Sequence, residues 1–179
     1  MKCSVFIATS VDGFIARPDG DIDWLHRPEY AAKDGGDFGY GTFINAVDAL
    51  VMGRNTFEKV MTFDPWPYEG TPVVVLTRRP MPIPDALAGK VCVESGPPEE
   101  VLARLAARGH EHLYIDGGAT IQRFLQAGLI DEITINQVPI LLGGGIPLFG
   151  SLGTETPLEL IESVRYANGF VISQYRMVG

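Results

Sequence analysis

The chain has 179 residues, 46% of them hydrophobic and 20% charged, and carries a formal net charge of −8 at pH 7. That length and apolar content suit one domain spanning 1–179, able to bury roughly 70% of the surface its unfolded form exposes. The acidic balance argues against a nucleic-acid partner, which needs clustered Lys and Arg, and no segment approaches the roughly 18 uninterrupted apolar residues of a membrane helix. Cys3 and Cys92 lie in apolar, strand-like runs without a Cys or His at metal-ligand spacing. They read as small buried hydrophobes, and no metal site is expected. No apolar run of signal-peptide length follows Met1, so a soluble cytoplasmic protein is expected.

Lys2 to Thr9, with Val5, Phe6 and Ile7, reads as a buried strand ending in the turn signal Ser10-Val11-Asp12-Gly13. Arg17 to Asp37 is polar and rich in Gly, Pro and Asp, a long loop whose one large apolar anchor is Trp24. Phe38 to Ala46 predicts a short helix, Val47 to Met52 a strand, Gly53 a turn and Arg54 to Met61 a second helix. Pro72 to Thr77 is a continuous β-branched run typical of a parallel sheet, followed by Arg78 and Arg79. Lys90 to Glu94, Pro98 to Arg108, Glu111 to Ile115 and Thr120 to Ala127 then alternate strand, helix, strand, helix. Such alternation implies right-handed crossovers and a largely parallel sheet with helices on both faces. Glu132 to Ile140 is another strand, and Asn168-Gly169 between two β-like runs, Leu158 to Tyr166 and Phe170 to Met177, predicts a closing antiparallel hairpin.

Two strand-to-helix junctions stand out. At Leu113-Tyr114-Ile115-Asp116-Gly117-Gly118-Ala119-Thr120-Ile121 an apolar strand meets a glycine pair and then a helix. Val51-Met52-Gly53-Arg54-Asn55-Thr56 repeats the geometry upstream. Glycines admit a ligand close to the backbone, and the N–H groups of a helix start attract phosphate. Two such sites suggest a dinucleotide. Ligands in open α/β sheets gather beyond the carboxyl ends of the strands, which brings Thr77, Arg78 and Arg79 to the same rim. A guanidinium there suits the extra ribose phosphate of NADP, although both arginines can also be read as solvated loop residues.

These motifs resemble a known superfamily. Val51-Met52-Gly53-Arg54-Asn55-Thr56-Phe57-Glu58 is similar to the cofactor motif of dihydrofolate reductases, and Ile115-Asp116-Gly117-Gly118-Ala119 to that fold's second glycine motif. Ala8-Thr9-Ser10-Val11-Asp12-Gly13-Phe14-Ile15-Ala16, Asp23-Trp24 and Val138-Pro139-Ile140-Leu141-Leu142-Gly143-Gly144-Gly145 resemble more closely the reductase domain of bifunctional riboflavin-biosynthesis proteins, the RibD C-terminal domain, and its stand-alone bacterial relatives. The resemblance implies a dihydrofolate reductase-like α/β fold: three layers, α-β-α, with a mixed, mostly parallel sheet and a C-terminal antiparallel hairpin. It also implies an NADPH-dependent reductase acting on a small pterin or aminopyrimidine heterocycle. By the same resemblance Gly53, Arg54 and Thr56 meet the pyrophosphate and adenosine side of NADPH. Thr77 and Arg78 take the ribose phosphate, Gly117, Gly118, Ala119 and Thr120 wrap the pyrophosphate, and Ala8 and Ile15 lie against the nicotinamide.

The substrate side offers fewer signals. Dihydrofolate reductases carry a carboxylate on the helix before the Gly-Arg motif; the nearest here is Asp37, either that acid or a helix cap in Gly35-Gly36-Asp37. Asp12 reads as a second catalytic candidate or as a turn residue before Gly13. Trp24 reads as a wall of the substrate pocket or a packing anchor. Riboflavin-pathway reductases bind a ribosyl or ribityl phosphate, for which Arg27 and Lys33 are the candidates. His110 and His112 fall at a strand's amino end, away from the cleft, and read as surface residues. The apolar residues around Gly143-Gly144-Gly145 suit packing beside the pocket or against a second subunit, and a homodimer is expected. The competing expectation is an NADP-binding module or sensor without turnover.

Overall fold

The computed structural model describes residues 1–32 and 36–179. Among the described residues ten strands and four α-helices follow in chain order: β1 (Lys2–Ser10), β2 (Phe14–Ala16), α1 (Tyr40–Ile44), β3 (Ala49–Gly53), α2 (Arg54–Val60), β4 (Val73–Leu76), β5 (Val91–Glu94), α3 (Pro98–Ala107), β6 (His112–Asp116), α4 (Gly118–Gln126), β7 (Glu132–Val138), β8 (Ile146–Pro147), β9 (Leu158–Arg165) and β10 (Val171–Met177). Eight strands form one sheet in the order β5-β4-β3-β6-β1-β7-β10-β9. The first six of that order run parallel, while β10 is antiparallel to β7 and to β9.

The apolar runs of the central strands alternate between two cores, because successive side chains leave a strand on opposite faces. Val5, Val51, Val74 and Ile115 pack on one face with Val101 and Leu105 of α3 and Ile121 and Phe124 of α4. Phe6, Leu50, Met52, Val73, Val75 and Tyr114 pack on the other with Phe57 and Val60 of α2. Both faces of β3 and β4 are therefore covered, which explains sequences of almost unbroken Val and Leu.

The expected elements are present with three refinements. The helix predicted from Phe38 to Ala46 contracts to Tyr40–Ile44, entered through the left-handed Gly39. The loop before it contains two 3-10 turns, Asp23–His26 and Pro28–Tyr30, held by a third apolar cluster of Trp24, Tyr30, Val138 and Phe170. The turn after β1 and the glycine-rich segment at 143–145 also meet: β2 pairs with β8 as a small separate sheet, a long-range pairing of short strands that periodicity does not signal. The hairpin at Asn168-Gly169 is as predicted, with Gly169 at φ +92° and Asn168 Oδ1 accepting from the Phe170 N–H. β9 forms the outer edge and every residue of it is exposed.

Trp24 is 0% exposed and joins the loop to the sheet, so Trp24→Ala is expected to cost about 3–5 kcal/mol. Urea unfolding measures it; a loss below about 1 kcal/mol, within the range of surface substitutions or little above it, would show that the cluster is not part of the cooperative core.

Candidate active site

The site begins where β3 and β6 end side by side. These strands are parallel neighbours, with Met52 opposite Asp116, and each passes directly into a helix. Gly117 has φ +86°, a conformation costly for any residue with a side chain, and a Cβ placed there would run into Thr56 Oγ1 of α2. Reciprocally, a Cβ on Gly53 would lie 3.0 Å from Thr120 Oγ1 of α4. Each helix thus presses a threonine onto the other junction's glycine, and the two helix starts form one continuous rim.

Two cavities open on this rim, and Asn55 lines both. The first, about 570 Å³, is lined by Arg54, Thr77, Arg78, Arg79 and Arg123, so four guanidinium groups surround one space. Arg54 Nε is held 2.7 Å from Glu58 Oε1, and the Arg79 N–H donates to Thr77 Oγ1 at 3.1 Å. The second, about 690 Å³, is lined by Ala8, Ile15, Thr56, Gly117 and Gly118, all expected at the cofactor. Of the remaining expected residues, Thr120 is buried against Gly53 and Ala119 is exposed on the first turn of α4. Residues drawn from five separate strand ends are therefore gathered at one rim, the arrangement that open α/β sheets use for ligands.

The floor of the second cavity holds groups that motif reading did not single out. Asp116, at the end of β6, is 9% exposed, and burial pushes its carboxyl up to about 6 although the Gly117 N–H donates to Oδ1 at 2.8 Å. Tyr68 and Tyr114 line the same cavity, and both they and Tyr40 lie close enough to feel the charge of Asp116. Burial raises all three phenols, Tyr40 to about 12, so they face the carboxyl as neutral groups. The Tyr114 hydroxyl donates to the Phe6 carbonyl at 2.8 Å. Asn136 of β7 is 6% exposed and its Oδ1 has no hydrogen-bond partner. An acid closing an apolar strand was a visible signal for Asp116; nothing in the sequence pointed to Tyr68 or Asn136.

Three residues of the substrate side, each read two ways from the sequence, make the structural contacts. Asp37 accepts from the Gly39 N–H through Oδ1 at 3.0 Å and from the Gly41 N–H through Oδ2 at 2.6 Å, so it caps α1 and lines neither cavity. Asp12 accepts from the N–H groups of Leu142 and Gly143, at 3.1 and 2.8 Å, which ties the turn after β1 to the glycine-rich segment; the Ser10 hydroxyl beside it, with those N–H groups adding to its effect, holds its carboxyl below the usual range. Trp24 is sealed in the third cluster and contributes no wall. A short polar side chain beside backbone donors satisfies them first, and a large aromatic in a loop is buried first. Arg27 is exposed outside both cavities, and Lys33 lies outside the described residues. His112 bridges Ser4 Oγ and the Ala46 carbonyl, each at 2.8 Å, at the amino end of the sheet.

The sequence matches the RibD C-terminal domain family over residues 2–172. It is 37% identical over 161 residues to "Uncharacterized protein YwjB" of Bacillus subtilis (strain 168), covering 89% of this chain and 88% of that one. Among solved structures, the "Putative riboflavin biosynthesis protein" from Shewanella sp. PV-4 shares 42% identity and a TM-score of 0.91 over 100% of both chains. Dihydrofolate reductase from Enterococcus faecalis, complexed with NADP(H), aligns with a TM-score of 0.70 at 19% identity over 99% of this chain and 97% of that one, a likeness of fold. An eight-stranded mixed sheet of the dihydrofolate reductase type, with glycine junctions at its carboxyl rim, carries this sequence, and the chain belongs to the RibD C-terminal domain family.

Proposed function

We propose that the chain is an NADPH-dependent reductase of a small heterocycle, and the observation that carries this reading is the interlocked pair of glycine junctions between an arginine-rich cavity and a half-apolar one. The fit to NADPH rests on chemistry present in the chain. Arg54, Arg78, Arg79 and Arg123 offer guanidinium forks to phosphate oxygens, with Thr77 beside them. Gly117 and Gly118 let Thr56, Ile15 and Ile146 close onto the start of α4, whose first N–H groups suit a diphosphate. Ala8 and Ile15 offer a flat apolar surface to a nicotinamide. Bound there, the coenzyme supplies a hydride.

The protein's own part is to hold the acceptor and deliver a proton. Asp116 retains its proton at the carboxyl up to about pH 6 and lines the same cavity, so it is the group placed to protonate an acceptor nitrogen. The Gly117 N–H on Oδ1 leaves Oδ2 to carry that proton. Calorimetry with NADPH tests the cofactor assignment. Arg78→Ala is expected to weaken NADPH at least about tenfold while leaving NADH within about threefold, because the lost fork serves only the extra phosphate. Absence of any NADPH binding by the parent would overturn the reading. Binding without loss of NADPH absorbance in the presence of pterin and aminouracil acceptors would leave a nucleotide-binding module instead.

Asp116 also leaves a thermodynamic signature. Its folded carboxyl keeps a proton to about pH 6, whereas the unfolded side chain releases it near 3.8. The native state therefore binds more protons between those values, and stability falls as pH rises through that window. The penalty remains above it and amounts to at most about 3 kcal/mol. Asp116→Asn is expected to melt higher than the parent at pH 7.5, to converge with it near pH 4, and to reduce acceptors more slowly. An unchanged melting temperature at pH 7.5 would remove the case for a buried acid.

The homodimer is proposed through β9. Leu158, Leu160, Ile161 and Val164 are 42%, 55%, 39% and 37% exposed on this long edge strand; in the glycine-rich segment Leu148 is fully buried, while Leu141 and Phe149 are 71% and 44% exposed. An uncovered apolar edge is a natural pairing surface for a second copy. Leu160→Arg is expected to convert the parent's dimer mass in light scattering to that of a monomer; a monomeric parent would contradict the assignment.

A further inference from the structure

The second cavity has a polarity that the first lacks, and that polarity bears on what it accepts. Its carboxylates are Asp19, Glu58 and Asp116, and its one cation is Lys59. Lys59 Nζ sits 3.0 Å from Asp21 Oδ1, and Glu58 is engaged by Arg54. Arg17, nearby in the loop, is paired with Asp23. Among the described residues no cation lining this cavity is left unpaired, and Asp19 and Asp116 have no ion-pair partner. The arginines that suit phosphate all face the other cavity.

The floor carries the positive half of the recognition. Asn136 stands on β7 and Asp116 on β6, the two neighbours of β1, with Phe6 and Ala8 of β1 between them. β7 stays paired with β1 where Asn136 lies opposite Ala8, whereas the pairing of β6 with β1 ends at Tyr114, so Asp116 and Asn136 stand at least two strand spacings, about 10 Å, apart. A gap of that size leaves room for a planar ring hydrogen-bonded at both edges, since each bond takes up about 2.9 Å. The Asn136 Oδ1, 94% buried by its 6% exposure and without a partner in the fold, calls for a donor N–H from a ligand.

We propose that this cavity selects a flat nitrogen heterocycle that carries no phosphate, seated with an N–H on Asn136 Oδ1 and its opposite edge toward the Asp116 carboxyl. The inference rests on the reductase reading for what happens to the ring, but its recognition is measurable without coenzyme. It departs from the ribosyl phosphate acceptor that resemblance to riboflavin-pathway reductases suggested. A phosphate dianion brought into this cavity would meet Asp19, and among the described residues its lining holds no unpaired cation to offset it.

The test is calorimetric titration of the full chain with 5,6-diaminouracil and with 5-amino-6-ribosylaminouracil, the latter with and without its 5′-phosphate. Diaminouracil and the nucleoside are expected to bind at one site per chain, and the phosphorylated form at least tenfold more weakly than the nucleoside. Asn136→Leu and Asn136→Ser are each expected to weaken diaminouracil at least tenfold, with thermal melts confirming that the variant compared is folded. Asp19→Lys, on an exposed loop, is expected to shrink the phosphate penalty severalfold. Tighter binding of the phosphorylated form, unchanged affinity in a folded Asn136 variant, or binding of none of the three probes would overturn the proposal. NADPH is titrated in the same samples: heterocycle binding with no NADPH binding would sink the reductase reading and leave this one standing.

Discussion

The reciprocal contact between two glycines and two threonines governs the rest of the site. Gly117 tolerates Thr56, and Gly53 tolerates Thr120, only because neither glycine carries a Cβ. With β3 and β6 as parallel neighbours, this brings two helix starts to one rim and opens backbone N–H groups toward a shared space. Helix starts kept apart by a side chain at either junction would present two separate anion sites rather than one extended cradle.

From that rim the charge divides. Four arginines line the cavity beside β4, while the cavity over β1 and β6 is acidic and half apolar. Under the proposed reductase reading this division keeps the arginines for the coenzyme and away from the acceptor. The buried Asp116 is destabilising in its ionised form, and no nearby cation relieves it among the described residues. Three neutral phenols lie near it and one backbone N–H donates to it instead. A cost of this kind, kept in a cavity floor, is what a group poised to hold a proton near neutrality requires.

The loop from Arg17 onward illustrates how polar residues divide between architecture and chemistry. Asp12 joins two distant turns, Asp37 starts a helix, and Trp24 anchors the loop on Val138 and Phe170. Each looked chemically interesting for its residue type, yet each is used up by contacts within the fold. Asn136, whose Oδ1 has no partner, and Asp116, held only by the Gly117 N–H, lie on strands, where precise placement comes from the sheet register.

Much was legible before any coordinates. Hydrophobic alternation and β-branched runs determined the parallel strands, Asn168-Gly169 determined the hairpin, and the two glycine junctions located the rim, because these are short-range signals carried by neighbouring residues. That Thr77, Arg78 and Arg79 lie toward the carboxyl ends of the strands also followed from strand order alone. What only the tertiary structure decided were properties that depend on residues far apart in the chain: that Asp12 meets Leu142, that β2 finds β8, that Trp24 is sealed, and that Asp116 and Asn136 face one cavity across β1. Hydrogen-bond satisfaction and burial are settled by the whole fold, so a side chain's chemistry stays undetermined until its long-range neighbours are in place.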